Sequence, residues 1–294
     1  MESTLSDGIA DLHTHTTASD GTIGVGERVG LAREQGLDAI AITDHDVVSE
    51  EFTERYGRSE GVEVVTGVEI RGDLFDTKIE LLGYYVDPTD DGLQSLLSRV
   101  RTYRRKRNAQ ILDEVSRETG LDVSPEMLRD DDDAILGRPH IAEYLVEQGV
   151  VSSIGAAFDE FLGSDGSCFV PMERVSHDEV VSTIQEAGGV ASLAHPGRIR
   201  EPVSRVEEMV KELSEAGLDG IETWYPYGDV RSDEYAGLTV DDAFALADEH
   251  DLLKTGGSDC HGPRSNKFRL GNVKVPASAF EAIRERAGEY RILK

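Results

Sequence analysis

Ala10-Asp11-Leu12-His13-Thr14-His15 and Ala39-Ile40-Ala41-Ile42-Thr43-Asp44-His45-Asp46 are two short apolar runs that each end in histidine beside carboxylates. Between them, Val25 to Gln35 has a helical pattern and stops at Gly36, a residue suited to close a helix. Strand, helix, strand within so short a span reads as a βαβ unit. Val62 to Ile70 and Lys78 to Val86 supply two further strand candidates. This rhythm predicts an α/β layer or barrel. It breaks at Gly92, where Leu96, Val100, Tyr103, Arg107, Ile111 and Val115 recur at helical spacing. Asp130 to Asp133 and Gly163 to Ser167 read as solvated loops. Strand candidates return at Gly189 to Ala194, Gly220 to Thr223 and Leu252 to Gly256, with helices Ser176 to Ala187 and Val203 to Ala216 between them. The expected organisation is therefore α/β, residues 1–91 and 176–294, interrupted by a small helical insertion, 92–175.

Composition narrows the function classes. The 294-residue chain carries 58 acidic and 30 basic residues, a net charge of −28, and only seven of the basic residues are Lys. Such a charge repels nucleic-acid phosphates, which excludes a general coating role and extended DNA binding. The acid excess reads as solvation suited to high salt, a halophilic trait, with a hyperacidic regulatory surface as the competing reading. Two cysteines, Cys168 and Cys260, cannot build a disulfide framework and are expected to be small buried residues. No stretch has the length of a membrane span and Met1 to Asp7 has no secretory pattern, so a cytoplasmic protein is expected. Oligomeric state has no signal in the sequence.

Chemistry concentrates where apolar runs end. On a strand, His13 and His15 point to one side and can share a cation, with Asp20 in a loop able to fold back over them. Thr43-Asp44-His45-Asp46 closes a second run, where Asp44 suits a turn or helix-cap role and His45 a ligand role. Glu69 stands inside Thr66-Gly67-Val68-Glu69-Ile70, where a buried charge needs a partner. A fourth run ends in Ala194-His195-Pro196-Gly197. A fifth site, Gly257-Ser258-Asp259-Cys260-His261-Gly262, puts Asp259 and His261 on one face and Cys260 on the other. In a parallel barrel, such strand ends share one mouth. Imidazoles and carboxylates without thiolates suit Mn²⁺, Fe²⁺ or Zn²⁺.

The ordered set HTHTTASDG, TDHD, GVEI, AHPG and GSDCHG resembles the PHP family, named for polymerase and histidinol phosphatase. The resemblance implies a distorted (β/α)7 barrel with two or three divalent cations, Mn²⁺ first among them. It implies one metal on His13, His15, Glu69 and Asp259, a second on Asp20, His45 and His261, and a third on Glu69 and His195. The chain departs from the family at one ligand. Where relatives usually carry His, Ile79-Glu80-Leu81-Leu82-Gly83 offers Glu80. Glu80 is thus expected as an atypical ninth ligand, with a surface position on an edge strand as the alternative.

The insertion resembles a nucleotide- and RNA-directed subset of the family through Gly137-Arg138-Pro139-His140 and the Phe158 to Pro171 stretch, though Ser164 to Cys168 lacks the Lys often found there. Phosphoesterase activity on nucleotides or short RNA is the expectation, of the 3′,5′-bisphosphonucleotide phosphatase or 5′→3′ exoribonuclease type, through a metal-bridging hydroxide. Asp20, His195 and His261 form the expected catalytic set. Arg138, His140, Arg198, Arg104 and Arg107 are the expected phosphate contacts, because the guanidinium fork matches phosphate oxygens. For Arg138 and His140 the alternative is a helix start with a capping His, and for Arg104 and Arg107 a solvated helix face. Trp224 and Tyr225 are candidates to stack on a base, against packing for Trp224 and a hydrogen bond near the metals for Tyr225. A histidinol-phosphatase-like enzyme and a non-catalytic metal-binding regulatory module are the alternatives in function.

Overall fold

The structure is a computed structural model that describes residues 9–128, 137–227, 237–263, 265 and 269–292. The expected acidic loop Asp130 to Asp133 lies outside the described residues. The chain separates into two compact units, Met1–Leu97 with Val175–Lys294, and Ser98–Arg174.

The larger unit is one curled sheet. Strand β1 (Ala10–Asp11) leads through helix α1 (Val25–Glu34) to β2 (Ala39–Ile42), its parallel neighbour. A short strand β3 (Tyr56–Ser59) pairs with the start of β4 (Val62–Leu74), which also lies parallel to β2. β5 (Thr77–Tyr84) returns antiparallel beside β4. Helix α2 (Asp91–Thr119) begins in the larger unit and runs on into the smaller one. Helices α3 (Arg138–Glu147) and α4 (Ile154–Ala157) follow, then α5 (His177–Glu186), β6 (Val190–Leu193), α6 (Val203–Glu215) and β7 (Gly220–Trp224). The chain ends with α7 (Val240–Glu249), β8 (Leu253–Gly256) and α8 (Ala277–Ile292). The strands run in the order β1-β2-β4-β5-β6-β7-β8. The two ends of the sheet meet, because Leu12 N donates to Gly256 O at 3.1 Å and His15 N to Cys260 O at 3.0 Å.

Period-two alternation sorts the side chains. Ala39 and Ala41 belong to an inner cluster with Ala10, Leu12, Val65, Leu82, Tyr84 and Trp224. Their neighbours Ile40 and Ile42 pack on the other face with Val25, Val29 and Ala32 of α1.

Three features differ from the sequence reading. The β4–β5 connection is the two-residue turn Phe75–Asp76, both with positive φ (51° and 65°), so β5 is antiparallel to both its neighbours. A parallel pair needs a crossover of a dozen or more residues, and none fits there. The strand expected over Ala10 to His15 pairs as a ladder only to Asp11. Its remainder stays extended beside residues 256–260, where the sheet closes. Strand β3, wholly exposed, and helices α7 and α8 had no place in the reading; β3 has no apolar alternation to betray it.

The smaller unit has its own core of Ile111, Leu112, Val115, Ile141, Ala142, Leu145, Phe161 and Leu162, which Cys168 joins as a fully buried member. Cys260 is likewise buried, against α1. Among the described residues, no helix is long and apolar enough to cross a membrane.

Candidate metal centre

Beyond the ends of β1, β2, β6 and β8, and from within β4 and β5, nine side chains converge. Their donor atoms form four groups, each gathered within 4.8 Å: His15, Asp20, His45 and His261; His13, His15 and Asp259; His13, Glu69 and His195; His45, Glu69 and Glu80. Glu69 stands at the centre. Its Oε2 lies 2.9 Å from His45 Nδ1 and 3.4 Å from both His13 Nε2 and His15 Nε2. Its Oε1 lies 3.0 Å from His195 Nε2. Asp259 Oδ1 is 3.3 Å from His15 Nε2 and 3.6 Å from His13 Nε2. Asp20 Oδ1 is 3.1 Å from His261 Nε2 and 3.9 Å from His45 Nε2.

The local backbone explains this convergence. The chain after β2 runs beside β4, with Glu69 N donating to Asp44 O at 3.1 Å and Asp46 N to Glu69 O at 2.9 Å. At Gly257 a Cβ would stand 2.3 Å from His13 N, so only glycine lets residues 257–261 pass that close. Asp11, fully buried, accepts from Ser258 N at 2.8 Å and Gly271 N at 2.9 Å and pins the same segment. His195 (φ 27°) and Asp259 (φ 52°) both adopt left-handed backbone, a strained state that aims their side chains at the centre. Asp44 is a loop anchor, as its turn role suggested. It accepts from Thr16 N at 2.7 Å, Thr16 Oγ1 at 2.6 Å and Ser19 Oγ at 2.5 Å, holding the segment that carries Asp20.

These residues fit divalent cations. Both ring nitrogens of His15 are buried without a hydrogen bond, which costs free energy unless a ligand takes them up. Burial, with His261 and His45 nearby, holds His15 well below the usual histidine range, in the neutral form that ligates metals. Burial works against a charged His45 too, but Glu69 and Asp20 outweigh it and hold it up at about 9. The group is thus a set of carboxylates and imidazoles, donor types that suit a divalent cation, drawn together around Glu69.

Glu80 sits on an interior strand, not an edge, and is half-buried. Its Oε2 lies 3.6 Å from His195 Nε2, and its Oε1 pairs with Lys78 Nζ at 2.5 Å. Burial raises its pKa, but the Lys78 ammonium, together with His195 and His45, outweighs burial and holds the carboxyl down at about 2. Lys78 had no role in the sequence reading.

Of the expected phosphate contacts, Arg198 stands at the centre. Its Nη1 donates to Asp259 Oδ2 and to Tyr225 Oη, both at 2.9 Å, and Tyr225 Oη itself donates to Asp259 Oδ2 at 2.9 Å. Tyr225 therefore takes the hydrogen-bonding role near the cluster. Trp224 packs edge-on against Phe244, which accounts for it as a core residue. Arg104, Arg107, Arg138 and His140 belong to the helical unit. There Arg107 is buried with Nη2 2.9 Å from Asn108 Oδ1, Arg138 donates to Leu162 O at 2.9 Å, and His140 Nδ1 accepts from Gly137 N at 3.0 Å as a helix cap.

One buried residue in the site escaped the sequence reading. Glu222, on β7, reaches His13 Nδ1 at 3.0 Å and the backbone N of His195 at 2.7 Å. A lone carboxylate inside an apolar strand (Gly220-Ile221-Glu222-Thr223) is the same signal that singled out Glu69.

Comparison with known proteins agrees with this geometry. The model of the PHP domain matches residues 11–144. A 5′-3′ exoribonuclease of Haemophilus influenzae is 34% identical over 86% of this chain and 90% of its own length. A 3′,5′-nucleoside bisphosphate phosphatase of Chromobacterium violaceum is 29% identical over 90% of this chain and 91% of its own. A solved structure assigned as a metal-dependent phosphoesterase of Bifidobacterium adolescentis superposes with a TM-score of 0.78 at 27% identity, covering 95% of this chain and 96% of the other. Fold, clustered ligand types and relatives agree, and the chain belongs to the PHP domain family.

Proposed function

We propose that this PHP-family phosphoesterase hydrolyses nucleotide phosphates or short RNA, acting as a 3′,5′-bisphosphonucleotide phosphatase or a 5′→3′ exoribonuclease. The observation that carries the reading is the cluster of nine ligand-type side chains, arranged in four overlapping groups around Glu69. Two or three divalent cations, Mn²⁺ first and Fe²⁺ or Zn²⁺ next, fit such a set. His13, His15, Glu69 and Asp259 would hold one, Asp20, His45 and His261 a second, and Glu69 with Glu80 and His195 a third. Bound cations of this kind supply Lewis acidity toward a phosphoryl oxygen and lower the pKa of a coordinated water.

The chain's own residues supply the rest. Glu69 keeps four imidazoles facing inward. Asp259 has one oxygen tied to Tyr225 and Arg198, which leaves the other directed at His13 and His15. Arg198 brings a guanidinium to the cluster, suited to a substrate phosphate. Arg104, Arg107, Arg138 and His140 are proposed as phosphate-binding groups of the helical unit itself. His195 or His261 is proposed to protonate the leaving oxygen where its ring is not committed to a metal, and Asp20 lies 3.1 Å from His261. The relatives support nucleotide and RNA substrates, and the net charge of −28 favours short substrates over long polymers.

The test is turnover at high salt after reconstitution with Mn²⁺, Fe²⁺ or Zn²⁺. Substrates are 3′,5′-bisphosphonucleotides, 5′-phosphorylated short RNA, nucleoside monophosphates and histidinol phosphate. Hydrolysis of the first two is expected. Bound metal without turnover of any of the four would sink the reading, and preference for histidinol phosphate would move it to a small-molecule phosphatase.

A further inference from the structure

Glu222 is a buried carboxylate outside the nine that touches two of them. It is fully buried in the middle of β7, where an ionised group persists only with strong partners. Its two oxygens are divided between two ligand residues. Oε1 faces His13 Nδ1 at 3.0 Å, and Oε2 accepts from the backbone N of His195 at 2.7 Å. Both histidines present their other side to Glu69, His13 Nε2 at 3.4 Å from Oε2 and His195 Nε2 at 3.0 Å from Oε1. One group of the cluster is thus enclosed by two carboxylates, Glu69 toward the metal position and Glu222 behind it.

We propose that Glu222 is a positioning residue that selects the metal-binding tautomer of His13 and locks the strained backbone of His195. This rests on the metal-centre reading above. An ionised carboxylate only accepts, so the proton between Glu222 and His13 sits on Nδ1. With that proton on Nδ1, Nε2 is the nitrogen left to offer its lone pair to a cation at the position shared with Glu69 and Asp259. Carboxylates behind ligating imidazoles orient the ring and raise its basicity in this way. His195 adds a backbone demand. Its φ of 27° is one that a non-glycine residue adopts only when its surroundings over-determine it. The N–H of that residue is held by Glu222, so the carboxylate that sets one imidazole also fixes the turn presenting the other.

Glu222→Gln tests this because it keeps size and removes one acceptor. The backbone N–H of His195 can only donate and takes the amide oxygen, so His13 Nδ1 meets the NH₂ and must either lose the contact or accept from it, which puts the ring proton on Nε2, the wrong nitrogen for a metal. The full chain is titrated with Mn²⁺, and again with Zn²⁺, by calorimetry, with metal content measured after dialysis. Metal affinity is expected to fall about 10- to 100-fold, the usual loss for an outer partner of a ligand. Glu222→Asp, which retains two acceptors on a shorter arm, is expected to lose less. In a His13→Ala background, Glu222→Gln should cost less than it does alone, since the pair it serves is already broken. Equal costs in the two backgrounds would mark a merely structural role and overturn the proposal, as would wild-type affinity in a folded Glu222→Gln protein. Failure of both Glu222 variants to fold would assign the residue to the core and also overturn it. The wild type separates the two readings, because absence of metal binding there refutes the metal centre itself, whichever way Glu222 behaves.

Discussion

Asp44 offers a quantitative trial of how the site is held. Its carboxylate is fully buried and takes three hydrogen bonds, two on Oδ1 from Thr16 N and Ser19 Oγ, and one on Oδ2 from Thr16 Oγ1. Thr16 and Ser19 are themselves buried, so water has little access to their donors once the acceptor is gone. Hydrogen bonds to a charged acceptor contribute about 1.5–3 kcal/mol each, and an orphaned buried donor costs about 1–3 kcal/mol. Asp44→Ala strands three donors at once. Allowing for relaxation of the loop, the loss should be on the order of 3–5 kcal/mol. Asp44→Asn is the instructive control. Its amide oxygen can replace Oδ1 and keep two bonds, while its NH₂ can donate to Thr16 Oγ1, leaving the threonine hydroxyl proton and the second amide proton to find other acceptors. Burial also pushes the Asp44 carboxyl above its ordinary value, against those hydrogen bonds, and a neutral side chain escapes that desolvation. The Asn variant should therefore cost about 1 kcal/mol. Urea unfolding with EDTA present measures both values. Because this loop carries Asp20, the Ala variant should also lose metal from the position served by His15, Asp20, His45 and His261, while the Asn variant retains it. Equal destabilisation by Asn and Ala, or a loss below about 1 kcal/mol for Ala, would refute the reasoning.

Two further outcomes follow from the electrostatics of the cluster. His45, held up at about 9 by Glu69 and Asp20 against burial, is protonated in the metal-free fold at pH 8 and neutral in the unfolded chain, whose histidines titrate near ~6.5. Its contribution to metal-free stability is thus fully present below about pH 6.5 and is lost as pH rises through 9. Metal binding at pH 8 must release that proton, so calorimetry in buffers of different ionisation enthalpy should give a buffer-dependent heat that declines above pH 9; a buffer-independent heat at pH 8 would be the contrary result. Glu80→Ala should lower metal stoichiometry or turnover, and Glu80→His should restore what is lost; unchanged stoichiometry and turnover in the Ala variant would remove Glu80 from the site.

The α/β rhythm and the ligand motifs were legible in the sequence because both are local. His13 and His15 share a strand face, Asp259 and His261 repeat that spacing, and each apolar run ends where a polar cluster begins. Glu69 was legible because a carboxylate in an apolar strand demands a partner. Glu222 carries the same signal, but its partners His13 and His195 lie 209 and 27 residues away, and no local pattern names them. The antiparallel course of β5 was missed because alternation gives a strand no direction; the two-residue turn at Phe75–Asp76 sets it. That reversal bears on Glu80, whose place next to His195 follows from the pairing of β5 with β6. The sequence by itself determined which side chains are of ligand type and which stretch of chain carries each. Only the tertiary structure decided their grouping, since closure of the sheet between residues 12–15 and 256–260 carries the first and last motifs to the same point.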